Sequence, residues 1–148
     1  MSVAKNVLLE EKKLKLELRL AQLEKNEKCQ DDFLTFVKTV WPDFIAGRHH
    51  KIIAEKLDRV ARGELKRLII NMAPRHTKSE FASFLFPAWM MGRNSKMKII
   101  QATHTTELAV NFGRKTKNLI ESDEFKEIFP EVKLAADSKA SGRWDTNK

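Results

Sequence analysis

A lysine followed by a serine, Lys78-Ser79, stands between an apolar run and a helix-forming segment, an order typical of loops that bind nucleotide phosphates. Such loops surround the β- and γ-phosphates with backbone N–H groups and neutralise their charge with a lysine. A hydroxyl at the start of the following helix holds Mg²⁺, where the helix dipole also favours anions. Lys78 and Ser79 supply the lysine and the hydroxyl, so they predict a phosphate-binding loop.

The full consensus of such loops, G-x-x-x-x-G-K-[ST], is not met. Met72 and Thr77 occupy the two glycine positions. Glycine lets the backbone approach phosphate closely and adopt positive φ angles, and a β-branched threonine does this poorly. From the residues alone, the alternative stays open that Lys78 and Ser79 only begin a helix.

The elements that must position this loop follow from periodicity. Apolar runs at 68–70 and 98–102 have the character of buried parallel strands. Helical spacing and capping residues predict helices at 5–28, 32–40, 50–61, 78–91, 105–122 and 123–129. Strand–helix–strand–helix order predicts an α/β fold, a parallel sheet with flanking helices, preceded by N-terminal helices. We divide the chain into a charged helical arm, 1–29, and the N-terminal part of an expected P-loop ATPase domain, 30–148.

Several segments together resemble the large subunit of tailed-bacteriophage terminases. The loop MAPRHTKSE is preceded by LIIN and followed by FASFLFPAWMMGR, while WPDFIAGRHHKIIAEKL lies upstream and KIIQATHTTELAVNFGRKTKNLI downstream, ending at SGRW. That family has a proline-arginine-histidine-glycine-lysine-serine variant of the Walker A loop. The resemblance covers roughly residues 31–147.

The resemblance implies a P-loop motor that uses ATP and Mg²⁺ to package double-stranded DNA into capsids. Pro74, Arg75, His76, Thr77, Lys78 and Ser79 would form the nucleotide-binding loop. In it Lys78 would contact the β- and γ-phosphates, Ser79 would bind Mg²⁺ and Arg75 would sense the γ-phosphate. His49 and His50 lie where the family contacts adenine, although such histidines more often cap or pack. Portal and small terminase subunit would be partners, in a ring within the host cytoplasm.

Hydrolysis also needs an acidic Walker B strand that orients Mg²⁺ and activates water. One run has this sequence pattern, Val7-Leu8-Leu9-Glu10-Glu11, but it precedes the loop and lies inside a lysine-rich helix. After Ser79 no such run occurs. We therefore expect a chain truncated before the Walker B strand and inactive alone as an ATPase or nuclease.

Charge and composition leave two further functions open. With 28 Lys and Arg against 20 Asp and Glu, the net charge of +8 favours an anionic partner. A non-catalytic module that binds nucleic acid or protein, or a fragment of another P-loop ATPase such as a helicase, would fit as well. The lone Cys29 indicates a reducing compartment. No apolar stretch is long enough to predict a membrane span.

Overall fold

Helices make up most of the structure, a computed structural model that describes residues 2–135 and 144–147, with side chains from residue 6 onward. In chain order they are α1 (Ser2–Asp31), α2 (Phe33–Val40), α3 (Arg48–Ala61), α4 (Lys78–Glu80), a π-helical turn (Phe81–Leu85), α5 (Phe86–Arg93), α6 (Thr106–Glu121) and α7 (Asp123–Ile128). The helices predicted from periodicity are all present, with ends shifted by a few residues.

The predicted parallel sheet is absent from the described residues, so the α/β P-loop prediction is wrong for this structure. Segments 68–70 and 98–102 are assigned to no strand, and no described backbone hydrogen bond joins them to a neighbour. Ile69 is 86% exposed and Ile100 96%. Short apolar runs predict extended chain, but a strand exists only where a second segment pairs with it. The strand-like pairing that is described is one antiparallel bridge, Leu134 to Thr146.

Helices α2 and α3 begin and end where their residue types dictate. The Asp32 carboxylate caps α2 by accepting a hydrogen bond from the Thr35 amide at 2.6 Å. Helix α3 ends at Ala61, and the chain turns away at Gly63, whose φ of 77° is the left-handed conformation that glycine adopts without cost. The Gly63 and Glu64 amides donate back to the Val60 and Arg59 carbonyls, which satisfies two of the free carbonyls at the helix end.

An aromatic core joins α2 to the helix that follows the loop. Phe33 lies at its centre, with its ring 5.6 Å from Phe81 and 5.3 Å from Trp89. Phe33, Phe36, Phe81 and Trp89 are fully buried. The Trp89 indole N–H donates to the Cys29 carbonyl at 2.8 Å, so the polar atom of this ring is satisfied and ties α5 to α1.

The helix from Lys78 to Arg93 changes its hydrogen-bond register around Pro87. Proline has no amide, so it cannot donate to the Ser83 carbonyl one turn earlier, and the turn widens into the π-helical segment. The Gln101 side-chain amide donates to that Ser83 carbonyl instead, at 2.7 Å. This bond anchors one of the two segments that were predicted as strands.

Only the C-terminal part of α1 packs on the other helices among the described residues. The Asn26 and Gln30 side-chain amides donate to the Glu127 and Ile128 carbonyls at the end of α7. Further toward the N-terminus the apolar side chains of α1 are at least half exposed; these are Val7, Leu8, Leu9, Leu14, Leu16, Leu18, Leu20 and Leu23. None of the described helices is both long and apolar enough to span a bilayer.

Candidate functional site

The predicted loop has an unusual backbone. It leads from the extended segment after 68–70 into α4, and two of its non-glycine residues have positive φ angles, Arg75 at 64° and Thr77 at 58°. Thr77 precedes the first residue of α4, and its carbonyl accepts the Phe81 amide at 3.0 Å, which begins the helix. A left-handed conformation costs a β-branched residue about 1–3 kcal/mol, and such costs concentrate at functional sites.

A chain of hydrogen bonds holds Thr77 in that conformation. The Gly47 amide donates to His50 Nδ1 at 2.9 Å, so in the neutral ring the proton resides on Nε2. His50 Nε2 therefore donates to Thr77 Oγ1 at 2.7 Å. The Thr77 hydroxyl in turn donates to the His76 carbonyl at 2.7 Å. The loop is thus fastened to the first turn of α3.

His50 is itself fixed by aromatic contacts. Its ring stacks on Phe81 with centroids 5.2 Å apart, and the Phe44 ring meets it edge-on at 4.7 Å. Burial lowers the pKa of His50 below its ordinary value of 6.5, and the nearby His49 and His76 lower it further. The ring therefore stays neutral at physiological pH, the state in which Nδ1 can accept the Gly47 amide.

Two more histidines surround the loop. The His49 ring lies 3.8 Å from His50 and 5.8 Å from His76, centroid to centroid. His76 Nδ1 bonds the Pro74 carbonyl at 2.9 Å, so this ring stabilises the loop from within. His49 Nε2 is buried and has no hydrogen-bond partner within the described chain. No group of three His, Cys, Asp or Glu side chains in the described residues is arranged to hold a metal ion.

The positively charged side chains of the loop, Arg75 and Lys78, have no described carboxylate partner and are available to bind an anion. Within the described chain, neither Arg75 nor Lys78 forms an ion pair with a carboxylate. The nearest acidic residue in sequence, Glu80, is already paired with Lys115 of α6 at 3.2 Å. Arg75 and Ser79 are exposed, and Lys78 is half-buried. The loop therefore offers uncompensated cations and a hydroxyl at the start of a helix, the groups that a phosphate requires.

The loop at 74–79 comprises a turn at 74–77 and the first two residues of α4, Lys78 and Ser79. His49 and His50, which are distant in sequence, contact this loop from α3. For Mg²⁺, Ser79 alone provides too few ligands, so the ion fits here only when phosphate oxygens and water complete its shell. The sequence reasoning missed Gly47 and Phe44, which orient His50; no motif marks either of them. It also missed that Glu80 pairs with Lys115, because the two residues meet only in the fold.

Comparison of the chain with protein-family models, with curated proteins and with solved structures finds no match. The site is a strained loop that one buried histidine holds to α3 and whose cations have no carboxylate partner among the described residues.

Proposed function

We propose that the loop at 74–79 binds the phosphates of ATP, and that the chain is part of a DNA-packaging motor of the terminase type. The observation that carries this proposal is Thr77 at a φ of 58°. The related loops place glycine at this position, and here a threonine adopts the glycine-like conformation at an energetic cost. Strain that the surrounding residues maintain is expected where the backbone must present its N–H groups to a ligand.

Each loop residue then has a role. Lys78 neutralises the β- and γ-phosphates, and the Ser79 hydroxyl joins the coordination of phosphate-bound Mg²⁺. Arg75 is exposed beside them and contacts the γ-phosphate, while Pro74 and His76 shape the loop through the bond between His76 Nδ1 and the Pro74 carbonyl. Both cations lack a described carboxylate partner, so binding an anion breaks no existing ion pair.

The wider assembly follows from the terminase resemblance and from charge. Double-stranded DNA is the polyanion that suits the net charge of +8. Portal and small terminase subunit are the proposed protein partners, with several copies in a ring, in the host cytoplasm. Nucleotide binding, rather than turnover, is the activity we propose for this chain by itself.

A second candidate function rests on a different observation. The exposed apolar side chains of α1 suit a helix that packs on another protein, which is the behaviour of a non-catalytic binding module. Such a module would also bind nucleic acid through the net charge of +8, so salt-dependent DNA binding that nucleotide does not alter would favour this function over the motor.

The test is titration of a fluorescent ATP analogue, with Mg²⁺, into the wild type and Lys78→Ala. We expect the substitution to weaken binding by about 10-fold or more, since a charge-assisted hydrogen bond contributes about 1.5–3 kcal/mol. Lys25→Ala is the matched control, because it removes the same charge from an exposed position on α1. Equal affinities for Lys78→Ala and Lys25→Ala would overturn the assignment of the loop.

A further inference from the structure

Thr77 is the least suitable residue of the loop for its conformation, yet the structure holds it there. Its side chain branches at Cβ and its φ is 58°, where glycine would carry no penalty. The hydroxyl compensates, because it is engaged on both sides: it accepts from His50 Nε2 and donates to the His76 carbonyl. The conformation at residue 77 therefore depends on a residue that is 27 positions away in sequence.

We propose that His50 is a positioning residue of the phosphate-binding loop, which acts through the Thr77 hydroxyl and fixes the loop in the conformation that binds nucleotide. The inference rests on the proposed function of the loop. It adds that a residue with no contact to the phosphates determines how well they bind, and that it does so because residue 77 is threonine rather than glycine.

The geometry around His50 suits such a role. The Gly47 amide fixes which ring nitrogen carries the proton, and Phe44 and Phe81 fix the plane of the ring. His50 is 7% exposed, so water is poorly placed to replace either hydrogen bond. The titratable groups that act on it are His49 on α3 and His76 in the loop, while Phe44 and Phe81 contribute apolar rings. His50 is therefore a rigid, neutral ring whose Nε2 donates to the Thr77 hydroxyl.

A double-mutant cycle tests whether the effect of His50 on nucleotide binding depends on the Thr77 hydroxyl. In the wild-type background, His50→Phe keeps an aromatic ring for Phe81 but removes both hydrogen bonds. We expect it to weaken ATP-analogue binding about 10-fold, equivalent to about 1.4 kcal/mol. In a Thr77→Gly background the loop no longer needs the hydroxyl, so we expect His50→Phe to change affinity by less than about 2-fold. An equal loss in both backgrounds would show that His50 acts only on general packing and would overturn the proposal.

His104→Phe is the control, since it makes the same change at an exposed histidine outside both the loop and α3. We expect less than about a 2-fold change from it in either background. If His50→Phe does not fold, Thr77→Val removes the same hydrogen bond from the side of the loop and leaves His50 in place. Unchanged affinity in Thr77→Val would then contradict the proposal.

A measurement without ligand separates this inference from the proposed function. Trypsin cleavage after the exposed Arg75 reports how well the loop is held. We expect His50→Phe to accelerate cleavage by about 5-fold in the wild-type background and by less than about 2-fold beside Thr77→Gly. If the Lys78 test fails and this pattern appears, the function is wrong but His50 still positions the loop. If Lys78 is needed for binding and His50→Phe changes neither readout, the inference is wrong and the function stands.

Discussion

The aromatic core and the loop at 74–79 differ in whether their polar and charged groups have partners and in whether their backbone is strained. In the core, Phe33, Phe81 and Trp89 are fully buried, and the Trp89 N–H has a backbone partner. In the loop, two residues have unfavourable φ angles and the cations have no described carboxylate partner. Burial and satisfied hydrogen bonds stabilise the core, whereas the loop retains strain and charge that a ligand can relieve.

One residue, Phe81, couples the two regions. Phe81 packs edge-on against Phe33 in the core and stacks on His50, which holds the loop. A substitution deep in the core should therefore lower stability without altering the loop, unless it moves Phe81. Three experiments test how far this separation extends.

The largest effect is expected from Trp89→Ala. Removal of a fully buried indole leaves a cavity and frees the Cys29 carbonyl, at a cost of about 3–5 kcal/mol in the free energy of unfolding. Denaturant unfolding followed by circular dichroism measures this. Trp89→Phe, which keeps a ring but loses the N–H, should cost less. If folded Trp89→Phe also lost nucleotide affinity, the core and the loop would not be separable.

Gly92→Ala should have an intermediate effect. A Cβ atom at this position in α5 would lie 2.5 Å from the nearest carbon of the buried Phe129 ring. Helical Gly→Ala changes usually stabilise, by about 0.5–1 kcal/mol, but overpacking here should destabilise by about 1–3 kcal/mol. Thermal unfolding shows whether Gly92→Ala raises or lowers the stability. Adding Phe129→Leu should recover part of the loss, and a stabilised Gly92→Ala single variant would contradict the close approach.

The smallest effect concerns pH. Because folding lowers the pKa of His50, the unfolded chain binds the proton more readily, and stability is lost as pH falls below about 6.5. Above that value the contribution of neutral His50 is fully present. We expect the stability difference between wild type and His50→Phe to shrink from pH 7.5 to 5.5. Asp58, whose pKa burial raises, is present in both proteins and cancels. If this stability difference instead stays constant from pH 7.5 to 5.5, protonation of His50 does not affect how His50 holds the loop, and the prediction is wrong.

The sequence predicted the helices well because their signals are local. Asp32 caps α2 and Thr105 caps α6 through contacts within one turn, and Gly63 ends α3 by its own backbone freedom. The sheet prediction failed for the complementary reason. Apolar character at 68–70 and 98–102 marks extended chain, but pairing depends on segments distant in sequence, and the described residues provide none.

The candidate site divides in the same way. The sequence by itself determined that a lysine and a serine begin a helix after a proline-arginine-histidine loop, because this order is written in consecutive residues. Only the tertiary structure decided that Thr77 adopts a glycine-like φ and that His50 holds it there. A threonine in isolation avoids that conformation, so its adoption depends on a hydrogen bond from α3 that no local pattern could reveal.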